Sequence, residues 1–167
     1  VKSRLHICHL TTAGGVEIIR WAKARGIEVT AEVTPHHLFL TDETANSYDP
    51  IFKVNPPLRS KRDVEALREG LADGTIDIVA TDHAPHPAES KECEWQEAAF
   101  GMLGLESALA VINQTMVQTG LLTWEGVAER MSYAPARIGR YESHGQKIAV
   151  GAPANLTLIN PSKTFRV

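Results

Sequence analysis

Two short runs carry side chains that bind metals and move protons. They are His6-Ile7-Cys8-His9-Leu10-Thr11-Thr12 and Ala80-Thr81-Asp82-His83-Ala84-Pro85-His86. Neutral imidazole is a common ligand of divalent ions. A carboxylate at the mouth of a sheet can hold such an ion and also shuttle a proton. Asp82 follows the apolar run Ile76 to Ala80, which puts it at the lip of a strand. Its alternative is a capping or loop aspartate. His9 lies near the C-terminal end of its own apolar run and points to the face opposite Cys8. Its alternative is a core histidine bonded to a backbone carbonyl. Cys8 beside His9 suggests a thiol nucleophile, but a cysteine buried in a strand is usually inert.

Three further stretches could support chemistry. In Lys53-Val54-Asn55-Pro56-Pro57-Leu58-Arg59 the prolines stiffen the backbone and push Asn55 to an extended conformation. The Asn55 amide can donate to and accept from a planar imide edge; taken alone, the stretch also reads as a rigid surface loop. In Thr34-Pro35-His36-His37, read as extended chain, the two imidazoles point to opposite sides. They cannot easily share one ion, so at least one has a structural or supporting role. Phe100-Gly101-Met102-Leu103-Gly104 is a glycine-flanked turn before a helix. Free N–H groups there could hold an oxygen, or the turn is a plain helix entry.

For His9 and Asp82 to act together, strands must bring them to one rim. The pattern predicts strands at Leu5–His9, Glu28–Val33 and Ile76–Ala80. Helices are expected from Val16 to Gly26 and from Lys61 to Ala72, the second capped by Ser60 and stopped by Asp73-Gly74. A long loop spans His36 to Arg59, and a second irregular stretch spans Pro87 to Phe100. Leu105, Leu109, Ile112 and Met116 mark a helix from Leu103 to Thr119, and Thr123 caps another from Trp124 to Met131. A strand begins at Leu156–Ile159 after a turn. Strands that end in polar residues and alternate with helices imply an α/β fold with a parallel sheet. A complete (β/α)8 TIM barrel needs eight strands and about 250 residues. The expectation is therefore the C-terminal part of such a barrel over residues 1–150, with the start of a small accessory β-region over 151–167.

Composition narrows the function. The chain has 167 residues, 43% hydrophobic and 22% charged, with a formal net charge of -3. That suits one domain with a real core. Mild acidity argues against nucleic-acid binding, which needs a basic face. No apolar run approaches the ~18 residues of a membrane span. Cys8 and Cys93 form no paired motif, which suits a reduced, cytoplasmic setting. The chain opens on Val1 and at once reads as core strand, which suggests a piece of a larger protein.

Taken in order, His-Ile-Cys-His-Leu-Thr-Thr, Ala-Glu-Val-Thr-Pro-His-His-Leu, Asn-Pro-Pro-Leu-Arg and Ala-Thr-Asp-His-Ala-Pro-His resemble the C-terminal part of class I (bacterial type) dihydroorotases. These are zinc-dependent cyclic amidohydrolases of the amidohydrolase superfamily. The resemblance implies one or two Zn2+ ions in the whole enzyme. It makes His9 a ligand from the sixth barrel strand, and Asp82, on the eighth, both ligand and catalytic acid/base. It places Asn55, His86, Phe100 and Gly101 against the substrate. The implied reaction interconverts N-carbamoyl-L-aspartate and L-dihydroorotate in pyrimidine biosynthesis. The family's first-strand His-x-His pair, its bridging carboxylate or carboxylated lysine and a fifth-strand histidine fall outside the chain on this alignment. Two ligands then remain, short of the three plus water of a catalytic zinc site. The implied partners are the small-molecule substrate and, for the protein, a second copy or aspartate transcarbamoylase. Rival readings are a dihydropyrimidinase- or allantoinase-type enzyme, and a non-catalytic dihydroorotase-like scaffold for aspartate transcarbamoylase. Retention of His9 and Asp82 disfavours the scaffold.

Overall fold

Strands β1 (Leu5–Ile7), β2 (Val29–Val33) and β3 (Ile78–Val79) form one parallel sheet in the order β1-β2-β3 in the computed structural model, which describes residues 3–164. Leu5 pairs with Val29 and Ile7 with Ala31; Val33 pairs with Val79. Parallel neighbours need crossover connections, and helices supply them. Helix α1 (Ala13–Ala24) links β1 to β2; α3 (Lys61–Asp73) precedes β3. Thr12 caps α1 by accepting from the Gly15 N–H, and Ser60 caps α3 by accepting from the Asp63 N–H. Gly74 ends α3 at φ +88°, a left-handed conformation that favours glycine.

Ala31 and Val33 are fully buried, as are Leu67 and Leu71 of α3, and Val16 and Ile19 of α1 join the same core. Ile112 and Met116 complete it from the C-terminal half. Alternation along β2 sends Thr30 and Glu32 to the other face, away from these helices.

Several expected elements differ. The first and third strands are shorter than the expected Leu5–His9 and Ile76–Ala80. The stretch after β2 is not extended: Thr34 accepts from the His37 N–H, Pro35 takes the first helical position, and α2 runs Pro35–Phe39. That pairing of cap and proline is a helix-start signal. The long loop then holds two short 3-10 helices, Asp42–Ser47 and Pro50–Phe52. The expected Leu103–Thr119 helix begins only at Ala108. It comprises α4 (Ala108–Ile112) and a π-helical turn (Asn113–Val117). Leu103 and Leu105 are exposed, because the Gly104 and Leu105 N–H groups donate to His83 Nδ1 and hold a turn there. The expected Trp124–Met131 helix is α5 (Trp124–Ala128), followed by a π turn (Glu129–Tyr133) and α6 (Ala134–Gly139). Pro135 has no N–H and crowds the preceding turn, which widens so that the Ala134 N–H reaches Glu129. Leu156–Ile159 form no strand; Leu156 and Leu158 are exposed and have no ladder to join. Val1, Lys2 and the last three residues of the expected accessory segment lie outside the described residues.

Candidate metal centre

His9 follows β1 and Asp82 follows β3, and both take left-handed backbone conformations, φ 50° and φ 49°. A non-glycine residue there carries local strain of about 1–3 kcal/mol, and such residues cluster at functional sites. The parallel sheet places both at the C-terminal rim. His9 Nε2 lies 3.5 Å from Asp82 Oδ1. On the other oxygen of the same carboxylate, His36 Nε2 lies 3.8 Å from Oδ2. Two imidazoles from β1 and α2 therefore flank one carboxylate from β3.

Glu32 of β2 underlies this group. Its Oε1 lies 2.9 Å from His9 Nδ1, off the line of a hydrogen bond, so that Nδ1 has no hydrogen-bond partner. Its Oε2 lies 2.9 Å from His6 Nε2. Buried His36 Nε2 also lacks a hydrogen-bond partner. Burial, with His37 and His9 adding to it, pushes the His36 pKa down to about 3, so the ring is neutral at physiological pH. A neutral buried imidazole with an unused ring nitrogen beside a carboxylate suits a divalent ion. Zinc-type distances of about 2.0–2.2 Å put neighbouring N and O ligands roughly 3–3.5 Å apart. Two imidazoles and a carboxylate are a donor set that fits such an ion.

His37 takes the structural role foreseen for one of the pair. Its Nδ1 lies 2.7 Å from Thr34 Oγ1, and its Nε2–H donates to the Pro56 carbonyl at 3.0 Å. Burial still pushes its pKa down. The reading of both histidines on opposite sides of a strand is overturned: they sit on one helical turn, ring centroids 4.5 Å apart. His36, beside Asp82, is the imidazole that reading missed, and the Thr34-Pro35 cap was the signal for its place. Glu32, a lone charge in an apolar strand, was also passed over.

The expected substrate contacts divide. His86 Nε2–H donates to the Phe100 carbonyl at 2.8 Å, which joins His86, Phe100 and Gly101 in one unit. Gly101 has φ +137°, and a Cβ there would lie 2.6 Å from Ala84 Cβ. His86 and Gly101 also line a cavity of about 580 Å³ with Lys91, Asp49 and Leu103. Lys53 and Lys91 pin the loop: Lys53 donates to the Trp95 and Gln96 carbonyls, Lys91 to those of Ala99 and Gly101. Lys53 Nζ also lies 4.6 Å from the Phe100 ring centre. Asn55 is exposed and precedes a cis proline, Pro56, whose carbonyl His37 holds. Two N–H groups of the turn expected to hold an oxygen at Phe100–Gly104 are already taken. The Gly101 N–H donates to Lys53 O and the Gly104 N–H to His83. Cys8 is exposed, not buried, and its thiol pKa is raised by desolvation and then by Glu32, which disfavours a nucleophilic role.

Among the described residues no helix is long and apolar enough to cross a membrane. The chain matches the amidohydrolase family over residues 2–166. It is 69% identical over 160 residues to a dihydroorotase of Streptomyces coelicolor, covering 96% of this chain and 37% of that protein. It is 54% identical over 165 residues to a dihydroorotase of Mycobacterium tuberculosis, covering 99% of this chain and 38% of that one. Among solved structures, an L-hydantoinase (dihydropyrimidinase) from Arthrobacter aurescens superposes with a TM-score of 0.83 at 36% identity, over 92% of this chain and 35% of that one. A D-hydantoinase from Bacillus sp. AR9 gives 0.84 at 26% identity, again over 92% and 35%. The chain thus spans little more than a third of these proteins' length, and its parallel α/β arrangement is theirs. The chain belongs to the amidohydrolase family.

Proposed function

We propose that the chain is the C-terminal part of a zinc-dependent dihydroorotase, a (β/α)8-barrel enzyme of pyrimidine biosynthesis working in a reducing cytoplasm. The observation that carries this reading is the approach of His9 and His36 to the two oxygens of Asp82. Identity of 54–69% with dihydroorotases favours that substrate over the hydantoins, whose enzymes supply the fold neighbours at 26–36%.

His9, His36 and Asp82 would hold the ion, which when bound acidifies water at neutral pH and polarises the ring carbonyl. Asp82 takes the proton of the attacking water and returns it to the departing amide nitrogen. Glu32, 2.9 Å from His9 Nδ1, adds negative charge behind the ring. His86 and the Phe100-Gly101 turn orient the planar ring, and Asn55 adds an amide donor and acceptor at its edge. Holding the reacting groups in place removes much of the entropic part of the barrier.

The test is an assay of the full-length enzyme on dihydroorotate, dihydrouracil and allantoin. Turnover of dihydroorotate, with Asp82→Asn lowering it by about 100-fold or more while the fold persists, is the expected result. Preference for dihydrouracil or allantoin would move the enzyme to the neighbouring class. Near wild-type turnover in Asp82→Asn would remove the acid/base assignment.

A further inference from the structure

His6, Cys8 and Glu32 form a second group that the proposed reaction leaves unused. Parallel pairing explains why they meet. His6 pairs with Thr30, so two residues further on Cys8 comes beside Glu32, all on the sheet face away from the helices. One ligand atom from each of the three lies within 4.8 Å of the others. His6 Nε2 is already 2.9 Å from Glu32 Oε2. Tetrahedral zinc separates its ligands by roughly 3.3–3.8 Å, so a small contraction closes the group on an ion.

The far side of His6 is fixed as well. Its Nδ1 lies 2.7 Å from Thr30 Oγ1, and the Thr30 hydroxyl donates to the Leu5 carbonyl. The Glu32 carboxylate can only accept, so its 2.9 Å contact puts a proton on Nε2, and an ion bound there takes that proton's place. The Thr30 contact on Nδ1 is an outer interaction of the kind that orients histidine metal ligands.

We propose that His6, Cys8 and Glu32 bind a soft or borderline divalent cation such as zinc or cadmium, at a site separate from the His9–His36–Asp82 centre. Sulfur with imidazole selects such ions over magnesium or calcium. Cys8 binds as the thiolate, and its proton passes to solvent. Because Glu32 also faces His9, an ion here draws on a carboxylate that serves both groups, so filling one site is felt at the other.

Cadmium titration of the full-length protein, followed by the ultraviolet thiolate-to-cadmium band, tests this without reference to turnover. The band should appear in the wild type, in His9→Ala and in Cys93→Ser, and the Cys8 part of it should vanish in Cys8→Ser. His6→Ala should weaken cadmium binding by about tenfold or more. No band in the wild type, a band unchanged by Cys8→Ser, or loss of the band in His9→Ala would overturn the second site. Failure of the dihydroorotate assay would leave these outcomes untouched.

Discussion

Asp82 and His9 were legible as a pair because each follows an apolar strand, where a polar side chain falls at the rim. His36 was not, since a strand reading assigns adjacent residues to opposite faces, and only the Thr34-Pro35 cap turns that segment into a helix. His36 also governs how stability depends on pH. Its pKa is about 3 in the fold against an unfolded value of 6.5, chiefly because burial disfavours the charged ring. Between those values the unfolded chain holds a proton that the native one lacks. The contribution is therefore complete above pH 6.5 and is lost as pH falls toward 3, at up to about 1.4 kcal/mol per pH unit. The lowered His37 pKa acts in the same direction. In metal-free protein, urea midpoints should fall from pH 7 to pH 5, and His36→Gln should flatten that fall. Equal slopes in the two proteins would show that His36 is not held neutral by burial.

At the scale of elements, periodicity located α1, α3 and the order of the three strands, because burial on one face leaves a repeating trace in sequence. It overextended the C-terminal helices. The bonds to His83 that delay α4 and the proline that widens the turn before α6 act across or against the local pattern. The loop with Phe100 and Gly101 is likewise built from distant parts, held by Lys53, Lys91 and His86, and sequence gave no hint of those bonds. Gly101 is its tightest point. Gly101→Ala adds both left-handed strain and a contact with Ala84, and should cost about 1–3 kcal/mol in a denaturant titration. It should also raise KM for the ring substrate more than it lowers kcat. A variant as stable as wild type with unchanged KM would mean that the loop does not position substrate.

For the whole molecule, three parallel strands are too few to close a barrel, and β1 and β3 each leave an edge without a partner among the described residues. Ile18, Trp21 and Leu103 are also exposed. Unpaired edges and apolar surface favour association. The 167 residues made alone should self-associate in sedimentation velocity and show no dihydroorotate turnover; a monodisperse, active monomer would contradict the reading of the chain as part of a larger barrel.

On the proposal above, His9, His36 and Asp82 hold one ion while His37 braces the loop beside it. Zinc content and affinity of the full-length protein, measured by metal analysis and chelator competition, test it most directly. His9→Ala and His36→Ala should each lower zinc affinity by about tenfold or more, and His37→Gln should leave it near wild type. Unchanged zinc in His36→Ala, or a loss confined to His37→Gln, would take His36 out of the ion's ligand set.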